Sequence, residues 1–124
     1  MFVYHQIDGH MMRDGALVGV GYSGHGDGLN NPGMEAVHGV GPIPRGKYRI
    51  GPWHDHFRPQ YGHSLGACVA QLLPVGHDAH GRTELFEHGD NDAMNHTASD
   101  GCIIMGKLIR QAMRDSGDHD LTVV

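Results

Sequence analysis

Over most of the chain, apolar residues come in short alternating runs and not at the three-and-four spacing of a helix. Residues 2 to 22, FVYHQIDGHMMRDGALVGVGY, are brief apolar stretches broken twice by Asp-Gly, at Asp8-Gly9 and Asp14-Gly15. Asp-Gly favours tight hairpin turns because it tolerates positive φ at both central positions. The pattern therefore predicts a three-stranded meander, with Val18, Val20 and Tyr22 alternating onto one face of the third strand. Residues 23 to 41, SGHGDGLNNPGMEAVHGVG, are glycine-rich and polar around an Asn-Asn-Pro turn. They predict a long surface loop, a kind of segment that often carries function in a compact domain.

Residues 41 to 52, GPIPRGKYRIGP, combine prolines, a turn glycine and a Lys-Tyr-Arg-Ile alternation, which predicts a turn feeding a strand. Tyr48 and Ile50 then face the core and Arg45 faces solvent. A polar stretch runs to about residue 64, after which ACVAQLLPV at 67 to 75 and TELFEHG at 83 to 89 read as further strands. Only one segment has helical spacing. Leu108, Ile109, Ala112 and Met113 recur on one face, with Lys107, Arg110 and Arg114 between them and Gly117 as a stop, so a helix is expected over about 106 to 115. The chain closes on HDLTVV, a β-branched strand. The expected fold is mainly β: one domain over 1 to 124, a β-sandwich or a related β-rich form, with a single helix.

Composition sharpens this picture. With 124 residues, 39% hydrophobic and 19% charged, the chain suffices for one folded core. Its 20 glycines far exceed the average share of about 7%, which suits a protein of turns and short strands. A formal charge of −5, with nine Lys plus Arg in no cluster, gives no electrostatic footprint for nucleic acid. No signal-peptide pattern opens the sequence and no apolar run approaches a membrane span, so the expectation is synthesis in the cytoplasm with delivery elsewhere by other means. Twelve histidines are scattered without a ligand spacing such as HExxH, so neither a metal nor a cofactor is expected. Cys68 and Cys102 form no CxxC pair, and Cys68, within an apolar run, reads as inert.

The chemistry concentrates in residues 87 to 105, EHGDNDAMNHTASDGCIIM. A cysteine attacks a carbonyl as thiolate, which calls for a nearby base and for donors to the resulting oxyanion. His88 precedes Cys102 by a strand end, a loop and a return, a spacing that lets imidazole and sulfur meet. Gly101 frees the backbone so that the N–H of Cys102 and of its neighbour can point at one oxygen, while Ser99 and Asp100 can hold the loop or orient His88. The alternative is that Cys102, ahead of three apolar residues, is a small buried hydrophobe and His88 a surface residue.

HGDN followed by TASDGCIIM resembles the signature of the L,D-transpeptidase (YkuD-type) cysteine enzymes, in which a histidine precedes a Ser/Thr-x-Gly-Cys segment. With GYSGHGDGLNNP, VGPIPRGKYRIGP and the closing SGDHDLTVV, in that order, the chain resembles more closely the L,D-transpeptidase-like toxins of type VI secretion systems. Housekeeping members carry a histidine directly before Gly-Cys and an arginine shortly after it. Asp100 and the run Ile103, Ile104, Met105 stand there instead, which favours hydrolysis or exchange over cross-linking.

The resemblance implies a cysteine enzyme acting on peptidoglycan tetrapeptide stems in the periplasm of a target cell, with Cys102 as nucleophile and His88 as base and then acid. It implies no cofactor, and a cognate immunity protein as partner. It further implies that Tyr22, Ser23, His25, Asn30 and Asn31 contact the stem, along with Asp90 and Asn91 beside His88, although turn chemistry accounts for the same residues. Two rivals stand beside this reading. One is a non-catalytic peptidoglycan-binding module on the same fold; the other is a histidine-rich metal binder.

Overall fold

The computed structural model describes residues 1–55, 67–90 and 101–124. Among them, nine strands build one sheet in the order β3-β2-β1-β9-β5-β6-β7-β8-β4. The strands are β1 Phe2–Tyr4, β2 His10–Arg13, β3 Ala16–Val20, β4 Tyr22–Ser23, β5 Gly46–His54, β6 Val69–Val75, β7 Phe86–His88, β8 Ile103–Ile104 and β9 Asp120–Val123. The expected mainly β character holds. The two outermost strands, β3 and β4, are consecutive in the chain with Gly21 alone between them, so the sheet's ends come together and it nearly closes into a barrel.

The hairpin turns lie where Asp-Gly predicts them. Asp14 and Gly15 both take positive φ, 51° and 81°, and join β2 to β3 with Arg13 opposite Ala16. Between β1 and β2 the turn is wider: the N–H of His5 donates to the His10 carbonyl, and the Asp8 carboxylate accepts from the His10 N–H. Tyr22, however, does not continue the third strand. A Cβ on Gly21 would lie 1.9 Å from the Ile104 carbonyl oxygen, and this close approach turns the chain into β4, which pairs with β8. Val20 is 51% exposed at the sheet's edge, so the expected common face of Val18, Val20 and Tyr22 does not form. The segment after β4 is a loop as expected, with 3₁₀ turns at Gly26–Gly28 and Pro32–Met34.

Alternation sorts the remaining strands. Phe2 and Tyr48 both stand opposite Leu121, and Ile50 stands opposite Leu72; all five are buried in the main core with Tyr4, Met11, Ile43, Met105 and Met113. β5 carries a bulge between Ile50 and Trp53, at Gly51-Pro52, where proline has no N–H for the ladder. β6 starts later than the sequence suggests because Cys68 takes a positive φ of 57°, and Glu84 at 56° likewise shortens β7. The terminal strand is central: β9 pairs in parallel with β1 and antiparallel with β5.

Helix α1, Lys107–Ser116, ends on Gly117 in the left-handed conformation, as expected. Its buried face differs from the apolar stripe in the sequence. Arg110 and Met113 are buried and Ile109 packs beside them, while Leu108 is 81% exposed and Ala112 also faces solvent. Two contacts explain this rotation. Ile109 lies on bare Gly19, where a Cβ would come within 2.3 Å of its Cδ1, and Arg110 is drawn inward by backbone carbonyls. Its Nε donates to Met105 O at 3.0 Å, and its Nη1 donates to Ala67 O at 2.6 Å and Cys68 O at 3.2 Å.

Candidate active site

β7 and β8 run parallel, with Glu87 opposite Ile103 and His88 opposite Ile104. Because side chains alternate along a strand, His88 and Ile104 share one face of the sheet with Phe86 and with Cys102, one residue ahead of β8. The neighbouring strands extend both faces. Toward the core, Ala70, Glu87, Ile103 and Ser23 form a row in which every residue is 0% exposed. On the other face, Tyr22, Val69, Phe86, Cys102 and Ile104 make a second apolar cluster, with Leu29 packed against it. His88 and Cys102 are thus diagonal neighbours on adjacent strands, His88 closing β7 and Cys102 leading into β8.

His88 is 6% exposed, and its Nδ1 lies 2.8 Å from the Gly89 carbonyl oxygen. A carbonyl only accepts, so Nδ1 carries the proton and the lone pair of the neutral ring is on Nε2. That tautomer is the one a general base needs. Cys102 is 9% exposed, and its thiol donates to the Glu84 carbonyl at 3.6 Å.

The residue before the cysteine has to be glycine. Gly101 has φ 124°, and a Cβ there would lie 2.1 Å from Nη2 of Arg82. Arg82 is a buried cation that sequence reasoning missed. Its Nη1 donates to the carbonyls of Glu35 and Pro42 at 2.8 and 2.7 Å, and its Nη2 to that of Gly41 at 3.0 Å. On the other side of Gly101, the Ser23 hydroxyl donates to the Gly101 carbonyl at 3.3 Å and accepts from the Ile43 N–H at 2.8 Å. Ser23 has no exposed surface, so it lies beneath the site, not at its mouth.

The other expected site residues divide. Tyr22 donates its hydroxyl to Asp90 Oδ1 at 2.6 Å, tying β4 to the residues just past His88. His25 is half-buried, its N–H donating to the Val40 carbonyl. Asn30 accepts from the Ser23 N–H through Oδ1, and Asn31 caps the 3₁₀ turn at Pro32–Met34 and donates to the Asp27 carbonyl. As they stand, these two asparagines perform turn chemistry. Asn91, Ser99 and Asp100 lie outside the described residues. Cys68 is buried and, like Cys102, forms no disulfide, and burial pushes its pKa up.

A second group absent from the sequence reading is Glu87, adjacent to His88 but facing the core. Both its carboxylate oxygens are buried without a hydrogen-bond partner, as is the hydroxyl of Tyr4. Burial drives the Glu87 pKa up to about 8, with Arg110 opposing the rise. An alternating strand hides such a residue from sequence inspection, because only the register says which side faces inward. Among the described residues, no group of three or more His, Cys, Asp or Glu is placed to hold a metal, and no helix is long and apolar enough to cross a membrane.

Fold and site together define a small β-barrel-like protein with a cysteine and a histidine diagonal to each other on one face of the sheet, at β7 and the lead into β8. Residues 19–123 match the Tlde1 domain, and the chain belongs to that family. The Tlde1 domain is that of type VI secretion effectors, so the chain is a secreted antibacterial effector, of a class that typically pairs with immunity proteins. No curated protein matches it.

Proposed function

We propose that this effector is a cysteine enzyme of the L,D-transpeptidase kind acting on the tetrapeptide stems of peptidoglycan in the periplasm of the target cell. What supports the reading is that Cys102 and His88 lie on one face of the sheet, diagonal to each other where β7 and the lead into β8 run in parallel, with the histidine tautomer suited to take a proton at Nε2. His88 takes the thiol proton, and Cys102 Sγ attacks the carbonyl carbon of the third stem residue. The tetrahedral intermediate collapses, the C–N bond to the terminal D-alanine breaks, and the departing amine takes the proton from His88. The thioester left on Cys102 is resolved by water to a tripeptide, by a free D-amino acid to an exchanged stem, or by a neighbouring stem's amine to a cross-link. Asp100 and the apolar run after Cys102 favour the first two, which deplete donor stems. The immunity partner is then a small protein that occludes the site.

Purified tetrapeptide muropeptides incubated with the protein, with and without an added D-amino acid, test this by mass spectrometry of the products. Loss of one alanine, or its replacement by the added amino acid, is the expected result, and Cys102→Ala and His88→Ala abolish it. Stem binding without turnover, and a Cys102 that resists thiol reagents, would favour a non-catalytic wall-binding module instead.

A further inference from the structure

We infer that Ser23, braced together with Arg82, is a positioning residue that sets the Gly101–Cys102 peptide and so aims the Cys102 sulfur. This rests on the catalytic reading of Cys102 above. Gly101 is held from two sides. Its carbonyl accepts the Ser23 hydroxyl at 3.3 Å, and its Cα is backed by the Arg82 guanidinium, which would meet a Cβ at 2.1 Å. Gly101 O belongs to the same peptide plane as the Cys102 nitrogen, so fixing that oxygen fixes the plane from which the Cys102 Cα and Sγ project.

Both braces are anchored in the same segment. Ser23 Oγ accepts from the Ile43 N–H, and Arg82 holds the Gly41 and Pro42 carbonyls. That segment is anchored in turn: the Ile43 carbonyl accepts from Gln6 Nε2 at 2.8 Å, and the same nitrogen donates to Glu35 Oε1 at 3.2 Å. Residues 41–43 therefore form a strut running from the buried Gln6 on one side to the nucleophile's peptide on the other. Ser23, Gln6 and Arg82 are all buried, and a hydrogen-bonded chain of buried polar groups is stiff because each group lost leaves its partner unpaired. The strands alone do not supply this constraint, since Gly101 precedes β8 and takes a φ open chiefly to glycine.

The test compares wild-type protein with Ser23→Ala and Ser23→Thr in two assays. One is the pH profile of Cys102 alkylation by iodoacetamide, read at the peptide level so that Cys68 is counted separately. The other is kcat and KM for tetrapeptide stems. Ser23→Ala is expected to lower kcat about tenfold with KM within twofold, and to move the alkylation midpoint up by about one pH unit; Ser23→Thr, which keeps the hydroxyl, restores both. A Ser23→Ala protein with wild-type kcat and an unmoved profile would overturn the inference, as would a folded Ser23→Thr that behaves like Ser23→Ala. Should Ser23→Ala fail to fold, Arg82→Lys carries the same prediction, since it keeps the charge but loses the planar fork on Gly41 and Pro42. An unmoved profile there overturns the inference equally. A wild-type Cys102 that alkylates like an ordinary thiol and turns over no stem defeats the catalytic reading itself, an outcome distinct from variants matching an active wild type.

Discussion

Replacing Glu87 by glutamine should raise stability in alkaline solution while changing it little in mild acid. Glu87 stands at the centre of the inner row Ala70, Glu87, Ile103 and Ser23, wholly buried, with no hydrogen bond to either carboxylate oxygen. Its folded pKa, about 8, lies above the ordinary 4.5. Below pH 4.5 the carboxyl is neutral in both states, so its ionisation leaves stability unchanged. As pH rises from 4.5 to 8 the unfolded chain releases the proton and the folded chain keeps it, so stability falls, up to tenfold in the folding equilibrium per pH unit. Above pH 8 the full loss is in place, on the order of 4–5 kcal/mol as an upper bound. Glutamine is neutral throughout and has nearly the same volume. Urea unfolding followed by fluorescence of Trp53, the sole tryptophan and packed on the core, reads the difference between the two proteins at pH 5, 7 and 9. Other titrating groups cancel in that difference. The variant should gain on the wild type by several kcal/mol between pH 5 and pH 9. A difference that stays constant across this range would refute the burial of a neutral Glu87.

Three further substitutions follow from the same contacts. Gly101→Ala forces a side chain onto φ 124° and against the Arg82 guanidinium, so a loss of roughly 1–3 kcal/mol in urea unfolding and a fall in stem turnover are expected. Tyr22→Phe removes the 2.6 Å bond to Asp90 and should cost about 1–3 kcal/mol, because the acceptor is a carboxylate; calorimetric melting measures it. Arg110→Met strands the carbonyls of Ala67, Cys68 and Met105 and should destabilise by roughly 3 kcal/mol. It also removes the cation that restrains the Glu87 pKa, so stability should decline with pH over a longer range than in the wild type.

Much of the sheet was legible because its signals are local. Asp14-Gly15 specifies a turn through its own φ preferences, the alternation of Tyr48 and Ile50 through side-chain direction, and Gly117 the helix end through its left-handed conformation. Cys102 and His88 were legible as a pair of residue types. What remained hidden depends on register and close approach. That Tyr22 leaves β3, that Glu87 faces inward beside an outward His88, and that Ser23 lies under Gly101 all follow from how β4, β7 and β8 align, and two- and three-residue strands carry too little pattern to fix that. The helix stripe misled because Arg110 is satisfied by carbonyls from residues far apart in sequence, which lets a charged residue take the buried place while Leu108 turns outward. His77, one of the scattered histidines, packs edge-on against Tyr48 at 5.0 Å and bonds the Lys47 carbonyl.

Whether Cys102 carries the acyl group is read by intact-protein mass spectrometry after brief mixing with tetrapeptide stems. A nucleophilic Cys102 yields an adduct of the stem less its terminal alanine, mapped to Cys102, sensitive to hydroxylamine and absent from Cys102→Ala. Stem trimming by Cys102→Ala at the wild-type rate, with no adduct on the wild-type protein, would contradict it.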